Sequence, residues 1–172
     1  IITTTGYASD DYGAWGPFAV ACAFVATLLG GCSGSTSGGI KAYRFLILFE
    51  LLANGLRALV YPSVVQPVRY GDRVVDPDMQ RAVILFIAAF FVIWAIGTIL
   101  LGATGLDLTT ATSGAFASLT NVGPGLGNVI GPAGNYSLFP DAAKWICTAL
   151  MLIGRLEILA VFVIFTPTFW GR

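Results

Sequence analysis

Long apolar runs alternate along the chain with short segments that are polar or rich in glycine. Apolar residues fill 15–29 and 40–60, on either side of the sequence GGCSGSTSGG at 30–39. Two further apolar runs cover 82–101 and 145–170. Because about 20 helical residues cross a membrane, the 82–101 run predicts one complete span. The longer 145–170 run predicts a second, tilted span.

The first two runs are each short for a span, and together they predict one span that is interrupted at 30–39. Glycine and serine lower helix stability, so this segment is open to three interpretations: a flexible linker, close packing of helices through small residues, or a loop inside a broken helix. The apolar flanks disfavour the linker. The residues alone do not separate the other two.

Residues 109–119, TTATSGAFASL, are too short and too polar to cross a membrane. They lead directly into TNVGPGLG and lie between two predicted spans. A short helix followed by an irregular glycine-rich strand is typical of a re-entrant pore loop, whose backbone must line protein or a water-filled cavity. A plain extracellular loop is the alternative, and it would equally accommodate Pro124 and Pro132.

Composition places the chain in a membrane. Hydrophobic residues make up 56% of the chain and charged residues only 10%, whereas soluble domains carry about 25% charged residues. Six of the nine Lys and Arg residues lie between Lys41 and Arg81, so the positive-inside rule predicts that this region is cytoplasmic. The low charge density and lipid-like flanks argue against a nucleic-acid surface.

This orientation predicts that TTTGY at 3–7 and the 109–127 segment both lie near the outer face. The two halves then share one plan, as internally repeated transporters do. Within the basic region, PVRYGDRVV at 67–75 predicts a small hairpin that turns at Gly71-Asp72. Ile1 follows no start-like segment, and we expect the chain to belong to a longer architecture.

Catalytic and metal-binding chemistry is poorly represented. The chain has no histidine, and Cys22, Cys32 and Cys147 lack the spacing of metal ligands. Arg155 and Glu157 are the only charges inside the last apolar run, which is too little for acid–base catalysis. We therefore expect neither an enzyme nor a bound cofactor.

The segment Thr4-Thr5-Gly6-Tyr7 suggests a different chemistry. Potassium channels replace the hydration shell of the ion with backbone carbonyls of Thr-Val-Gly-Tyr-Gly loops. Glycine tolerates the dihedral angles that such a backbone needs. TNVGPG occupies an equivalent position in the second half, so the pair predicts two strands of one ion filter.

The motifs TTTGY, GGCSGSTSGGIK, LTNVGPGLG, LMLIGRLEI and FTPTFW together resemble the TrkH family of bacterial potassium-uptake proteins, within the Trk/Ktr/HKT superfamily. The resemblance covers nearly the whole chain. It implies an all-α membrane protein with helix–pore loop–helix repeats of potassium-channel type and a broken helix at the glycine cluster. It implies that 1–60 is the end of repeat three, 61–81 a cytoplasmic linker and 82–172 the complete repeat four.

The resemblance also implies the site residues. Potassium would be the substrate, bound by backbone carbonyls of Thr4, Thr5, Gly6, Asn121, Val122 and Gly123. The 30–39 loop would obstruct the pore beneath this filter. The implied gate residues are Gly30, Gly31, Cys32, Ser33, Gly34, Ser35, Thr36, Ser37, Gly38, Gly39, Lys41 and Arg155. Pro124 stands where Tyr7 stands in the other half, which departs from the channel pattern.

Arg155 is unusual in its own right. A charge deep in a span costs at least about 2.5–3.5 kcal/mol and normally faces the protein interior or water. Arg155 is ten residues from the nearer end of its run, which disfavours snorkelling. Residues at i and i+2 do not share a helix face, which disfavours a pair with Glu157. We expect Arg155 to form an electrostatic barrier in the ion path.

The resemblance implies partners as well. These are the remaining repeats of the same polypeptide, a second copy in a homodimer, membrane lipid, and a cytoplasmic RCK-type nucleotide-binding subunit (TrkA-like). The location implied is the bacterial inner membrane. Channel-like and Na⁺- or H⁺-coupled transport both remain open. The alternative function is a non-conducting subunit that only packs helices.

Overall fold

The structure is a computed structural model that describes residues 3–7, 10–32, 34–35, 37–61, 67–71, 73–156, 158–165 and 170. It is mostly helical. The elements are a 3-10 turn at Tyr12–Trp15, α1 (Pro17–Leu28), α2 (Ala42–Val60), β1 (Arg69–Tyr70), β2 (Arg73–Val74), α3 (Pro77–Ala103), α4 (Leu108–Thr120), α5 (Gly127–Ile130), a 3-10 turn at Tyr136–Leu138, α6 (Asp141–Arg155) and α7 (Ile158–Phe165).

The helix predicted at 82–101 is confirmed as part of α3. Among the described residues, α3 is the one helix long and apolar enough to cross a membrane. Its 27 residues correspond to a length of about 40 Å. Only 28% of its most apolar window is buried inside the chain, so most of its apolar surface faces outward, unlike the core helix of a soluble protein.

The predicted break at the glycine cluster is also confirmed. Leu29 and Ile40 form a parallel bridge between the end of α1 and the start of α2. The amide of Gly30 donates to the Ile40 carbonyl at 2.9 Å, and that of Ala42 donates to the Gly31 carbonyl at 3.2 Å. The two helix ends are therefore joined side by side, and the described residues between them form a loop.

The short helix predicted at 109–119 is confirmed as α4, which lies between α3 and α6. Ala111 and Ala115 are fully buried in the main core, and their small side chains allow close approach of the neighbouring helices. Phe116 packs edge-on against Phe90, with centroids 6.0 Å apart. This burial excludes the alternative of a plain extracellular loop.

The longer span predicted over 145–170 consists of two helices, which sequence reasoning did not anticipate. Helix α6 ends at Arg155, and α7 begins at Ile158. Arg155 therefore lies in the last turn of α6 and is exposed, so our premise that it lies far from a helix end fails. Hydropathy could not reveal this break, because Leu156 and Ile158 are both apolar and would also fit a continuous helix. The excluded pairing with Glu157 falls outside the described residues.

The hairpin predicted at 67–75 is confirmed. Strands β1 and β2 are antiparallel, with Arg69 opposite Val74 and Tyr70 opposite Arg73. The flanking Val68 and Val75 are buried in a small second apolar cluster with Ile47 of α2 and Val83 of α3. The connection between α2 and α3 is thus packed onto both helices. Asp72 of the predicted turn lies outside the described residues.

Candidate functional site

The two predicted filter segments, 3–7 and 121–125, lie side by side. A β-carbon placed on Gly6 would lie 3.0 Å from the carbonyl oxygen of Val122. A β-carbon placed on Gly123 would lie 4.0 Å from Cα of Gly6. The structure therefore brings together residues that are far apart in the sequence, and the Val122 carbonyl faces the other segment.

Both segments repeat the same backbone pattern. Thr4 and Gly6 have φ of 52° and 81°, and Asn121 and Gly123 have φ of 56° and 101°. When every second residue has a positive φ, successive peptide groups turn so that their carbonyl oxygens can face the same side. An ion filter requires this arrangement. A positive φ is rare for a β-branched residue such as Thr4, and such strain is concentrated at functional sites.

The 121–125 segment is held at its start by α4 and α6. The Asn121 side-chain amide donates to the carbonyl oxygen of Met151 in α6 at 3.1 Å. The Val122 amide donates to the Ala117 carbonyl at 3.1 Å, and Val122 is only 2% exposed. The segment thus leaves α4 in a fixed direction.

Two tyrosine hydroxyls bind the same segment at Gly123 and Gly125. Tyr136 donates to the carbonyl oxygen of Gly123 at 2.6 Å, and Tyr12 donates to that of Gly125 at 3.0 Å. Sequence reasoning missed both tyrosines. No local pattern marks them, because the bond of Tyr12 joins residues 113 positions apart.

The glycine-rich loop packs against the end of α4 that leads into this segment. The Gly38 amide donates to the Thr4 hydroxyl at 3.2 Å. A β-carbon on Gly38 would overlap the carbonyl oxygen of Thr120, and one on Gly154 of α6 would overlap that of Leu119. Only glycine permits these two close approaches to the last carbonyls of α4.

Serine side chains shape the loop itself. The Gly31 amide donates to the Ser37 hydroxyl at 2.8 Å, and the Ser37 amide donates to the Ser35 hydroxyl at 3.2 Å. Gly34 and Gly39 have positive φ, which their lack of a side chain tolerates. The predicted gate residues Ser33 and Thr36 lie outside the described residues.

The loop, α2, α3 and α6 line a partly open cavity of about 160 Å³. The lining residues are Ser35, Ser37, Gly38, Gly39, Lys41, Arg44, Phe86, Gly154 and Arg155. The structure therefore brings the predicted gate residues Lys41 and Arg155 to one cavity with the loop. Its wall carries three cationic side chains, those of Lys41, Arg44 and Arg155.

Arg44 is the third of these cations, and sequence reasoning assigned it only to the basic cytoplasmic region. It is instead 6% exposed, and its guanidinium lies 3.8 Å from the centroid of the Phe86 ring, within cation–π range. Lys41 is the N-cap of α2, and Arg44 and Arg57 lie within α2, so the basic region is partly helix. The position of Arg44 inside the apolar 40–60 run was the available signal.

Comparison with known proteins places this geometry in context. Residues 2–171 match the sequence model of the TrkH family, described as cation transport protein. The chain is 52% identical over its full length to the Trk system potassium uptake protein TrkI of Halomonas elongata, covering 35% of that protein. It is 38% identical to TrkH of Escherichia coli over 98% of the chain, covering 34% of that protein.

The crystal structure of the potassium transporter TrkH from Vibrio parahaemolyticus has the same fold. It superposes on 98% of the chain with a TM-score of 0.89 at 36% sequence identity, and the match covers 35% of that chain. The fold is therefore that of an all-α membrane protein. The chain spans about one third of the length of these relatives.

Proposed function

The chain belongs to the TrkH family of cation transport proteins, and on that premise we propose that it forms part of a potassium-uptake pathway across the membrane. The proposal depends on one observation. Gly6 and Gly123 lie close together, in two segments whose backbones have similar conformations. A subunit that only packed helices would have no use for the strained Thr4 backbone next to a segment that approaches a second one so closely.

In this proposal the two segments form part of a potassium filter. Its ligands are the carbonyl oxygens of Thr4, Thr5, Gly6, Asn121, Val122 and Gly123, which replace the water around the ion. Helix α4 ends at Thr120, directly before the second segment. The C-terminus of a helix carries about half a negative charge, which favours a cation at this end of the filter.

The glycine-rich loop is the proposed gate. It lies against the last carbonyls of α4 and is bonded to Thr4. Its small residues allow it to move without displacing bulky side chains, and a gate requires two arrangements of similar energy. Arg155, Lys41 and the neighbouring cavity residues raise the electrostatic cost for a cation while the loop is seated.

The proposed assembly follows the family resemblance. The chain would supply two of four repeat positions around one pathway, with the other repeats in the same polypeptide. Two such polypeptides would form a homodimer in the bacterial inner membrane, with residues 61–81 cytoplasmic and the filter near the outer face. A TrkA-like nucleotide-binding subunit would dock on the cytoplasmic side. The exposed apolar surface of α3 would contact lipid and the other repeats.

The test is rubidium uptake into proteoliposomes by the complete transporter that contains this chain. We expect uptake that excludes sodium, and we expect Gly6→Ala to abolish the selectivity, since it forces alanine to a φ of +81° beside the Val122 carbonyl. Gly102→Ala is the matched control, because nothing lies within 4 Å of that position. Absence of selective uptake by the unaltered protein would support the helix-packing alternative instead.

A further inference from the structure

Two phenol groups donate hydrogen bonds to carbonyl oxygens of the 121–125 segment. Tyr136 reaches Gly123, one of the proposed filter residues, and Tyr12 reaches Gly125. Tyr136 belongs to the same half of the chain as its acceptor. Tyr12 belongs to the other half, shortly after Gly6, so its bond ties the two halves together.

Each ring is fixed in its own position. Tyr12 is 8% exposed and begins a 3-10 turn, where the Asp11 carboxylate accepts from the Gly13 amide at 2.8 Å. The Tyr136 ring packs edge-on against Phe139, with centroids 5.1 Å apart, and Phe139 is itself buried. Neither phenol can swing away without losing packing in the core.

Both phenols remain hydrogen-bond donors over the whole physiological pH range. Burial raises the pKa of Tyr136 well above its ordinary value. Burial, with a smaller contribution from the Asp11 charge, also raises the pKa of Tyr12. A tyrosine hydroxyl that keeps its proton can always donate to a carbonyl oxygen.

These bonds matter because the segment is rich in glycine. Gly123 adopts a φ of +101°, and glycine alone would allow its peptide group to rotate to other orientations at little cost. A carbonyl has two lone pairs, so an oxygen held by Tyr136 on one side can still present the other side to an ion. The bond therefore limits the orientation of the carbonyl without removing it as a ligand.

We propose that Tyr136 and Tyr12 are positioning residues that hold the 123–125 backbone and thereby maintain the preference for potassium over sodium. The inference rests on the proposed potassium uptake. In the cavity-size account of selectivity, carbonyl oxygens that are held in place fit potassium better than the smaller sodium ion. A filter segment free to rotate its peptides can rearrange around the smaller sodium ion, whereas a segment held by two phenols cannot.

The test compares Tyr136→Phe, Tyr12→Phe and the control Tyr61→Phe in the complete transporter, with rubidium and sodium uptake measured separately in proteoliposomes. Each change removes one hydroxyl and keeps the ring. Loss of one hydrogen bond corresponds to about a three- to tenfold effect. We expect the rubidium-to-sodium ratio to fall by that factor for Tyr136→Phe. The fall should be smaller for Tyr12→Phe, because its acceptor is the carbonyl of Gly125, two residues after Gly123. Tyr61 is exposed at the end of α2, and its replacement should leave the ratio unchanged.

An unchanged ratio in Tyr136→Phe would overturn the inference, even if total uptake or thermal stability fell, because the tyrosine would then act only on folding. If Tyr136→Phe does not accumulate in the membrane, the rubidium-to-sodium uptake ratio of Tyr12→Phe serves as the test, and an unchanged ratio would again overturn the inference. The two proposals fail separately. No selective uptake by the unaltered protein refutes the proposed function, whereas normal uptake with unaltered ratios in the variants refutes only the role of the tyrosines.

Discussion

The backbone amide of Gly38 donates a hydrogen bond to the side-chain hydroxyl of Thr4 at 3.2 Å. One residue belongs to the proposed gate and the other to the proposed filter, so the two parts are in direct contact. Gly38 also lies against the Thr120 carbonyl at the end of α4. A displacement of the loop must therefore break a bond to the filter segment, which couples the two energetically.

Replacing Thr4 by valine tests this coupling. Valine keeps the β-branch at the strained φ of 52° but loses the acceptor oxygen, so the seated loop should be destabilised by about 1 kcal/mol. We expect rubidium uptake without stimulation to rise about fivefold. Thr4→Ser keeps the hydroxyl and should behave like the unaltered protein. Equal uptake by the valine and serine variants would contradict a role for the bond in holding the loop.

Gly38→Ala tests the close approach of the loop to α4. The added methyl group overlaps the carbonyl oxygen of Thr120, so the loop cannot occupy its present position. We expect basal rubidium uptake to increase and to respond less to the proposed TrkA-like subunit. Gly55→Ala is the control, because that glycine lies in α2 with open space around it. Basal uptake as low as in the control would show that the loop does not close the pathway.

Arg155→Ala tests the electrostatic barrier. Because Arg155 is exposed, water screens part of its repulsion of a permeating cation, which leaves on the order of 1 kcal/mol, or about fivefold in rate. We expect potassium flux to rise by about this factor, and Arg155→Lys to stay near the original value because the charge is kept. Arg81→Ala removes an exposed charge that does not line the cavity and serves as control. Unchanged or lower flux at normal expression would refute the barrier.

Asp107 provides a prediction about stability and pH. Its carboxylate caps α4 by accepting from the Thr110 amide at 3.1 Å, and hydrogen bonds from Thr110 lower the pKa of the carboxyl group. Since a lowered native pKa stabilises the fold above the ordinary pKa of aspartate, this contribution should disappear as the pH falls through the native value.

The measurement is the thermal unfolding midpoint of the complete transporter in detergent, from neutral to acidic pH. We expect Asp107→Ala to lower the midpoint at neutral pH and Asp107→Asn, which can still cap the helix, to lower it less. The difference between the unaltered protein and Asp107→Asn should close in acid. A constant difference across the range would show that the ionised carboxylate contributes nothing specific.

Local sequence patterns were sufficient for much of the architecture. Hydropathy and length predicted helix α3, because a helix of about 20 apolar residues is stable in few environments other than a membrane. Glycine and serine content indicated the break between α1 and α2, although the choice of a broken helix needed the family resemblance. The shortness and polarity of 109–119 predicted helix α4, and the turn residues Gly71-Asp72 predicted the 67–75 hairpin. The roles of the filter and gate residues remain predictions.

Only the tertiary structure decided the contacts between distant parts of the chain. The break after Arg155, the burial of Arg44 against Phe86, and the bonds of Tyr12 and Tyr136 have no local signature. The physical reason is that hydropathy and turn propensity act within a few neighbouring residues, whereas the space beside a carbonyl depends on which helix packs there. Gly38 and Gly154 read as ordinary small residues in the sequence, and they become indispensable only because α4 ends against both.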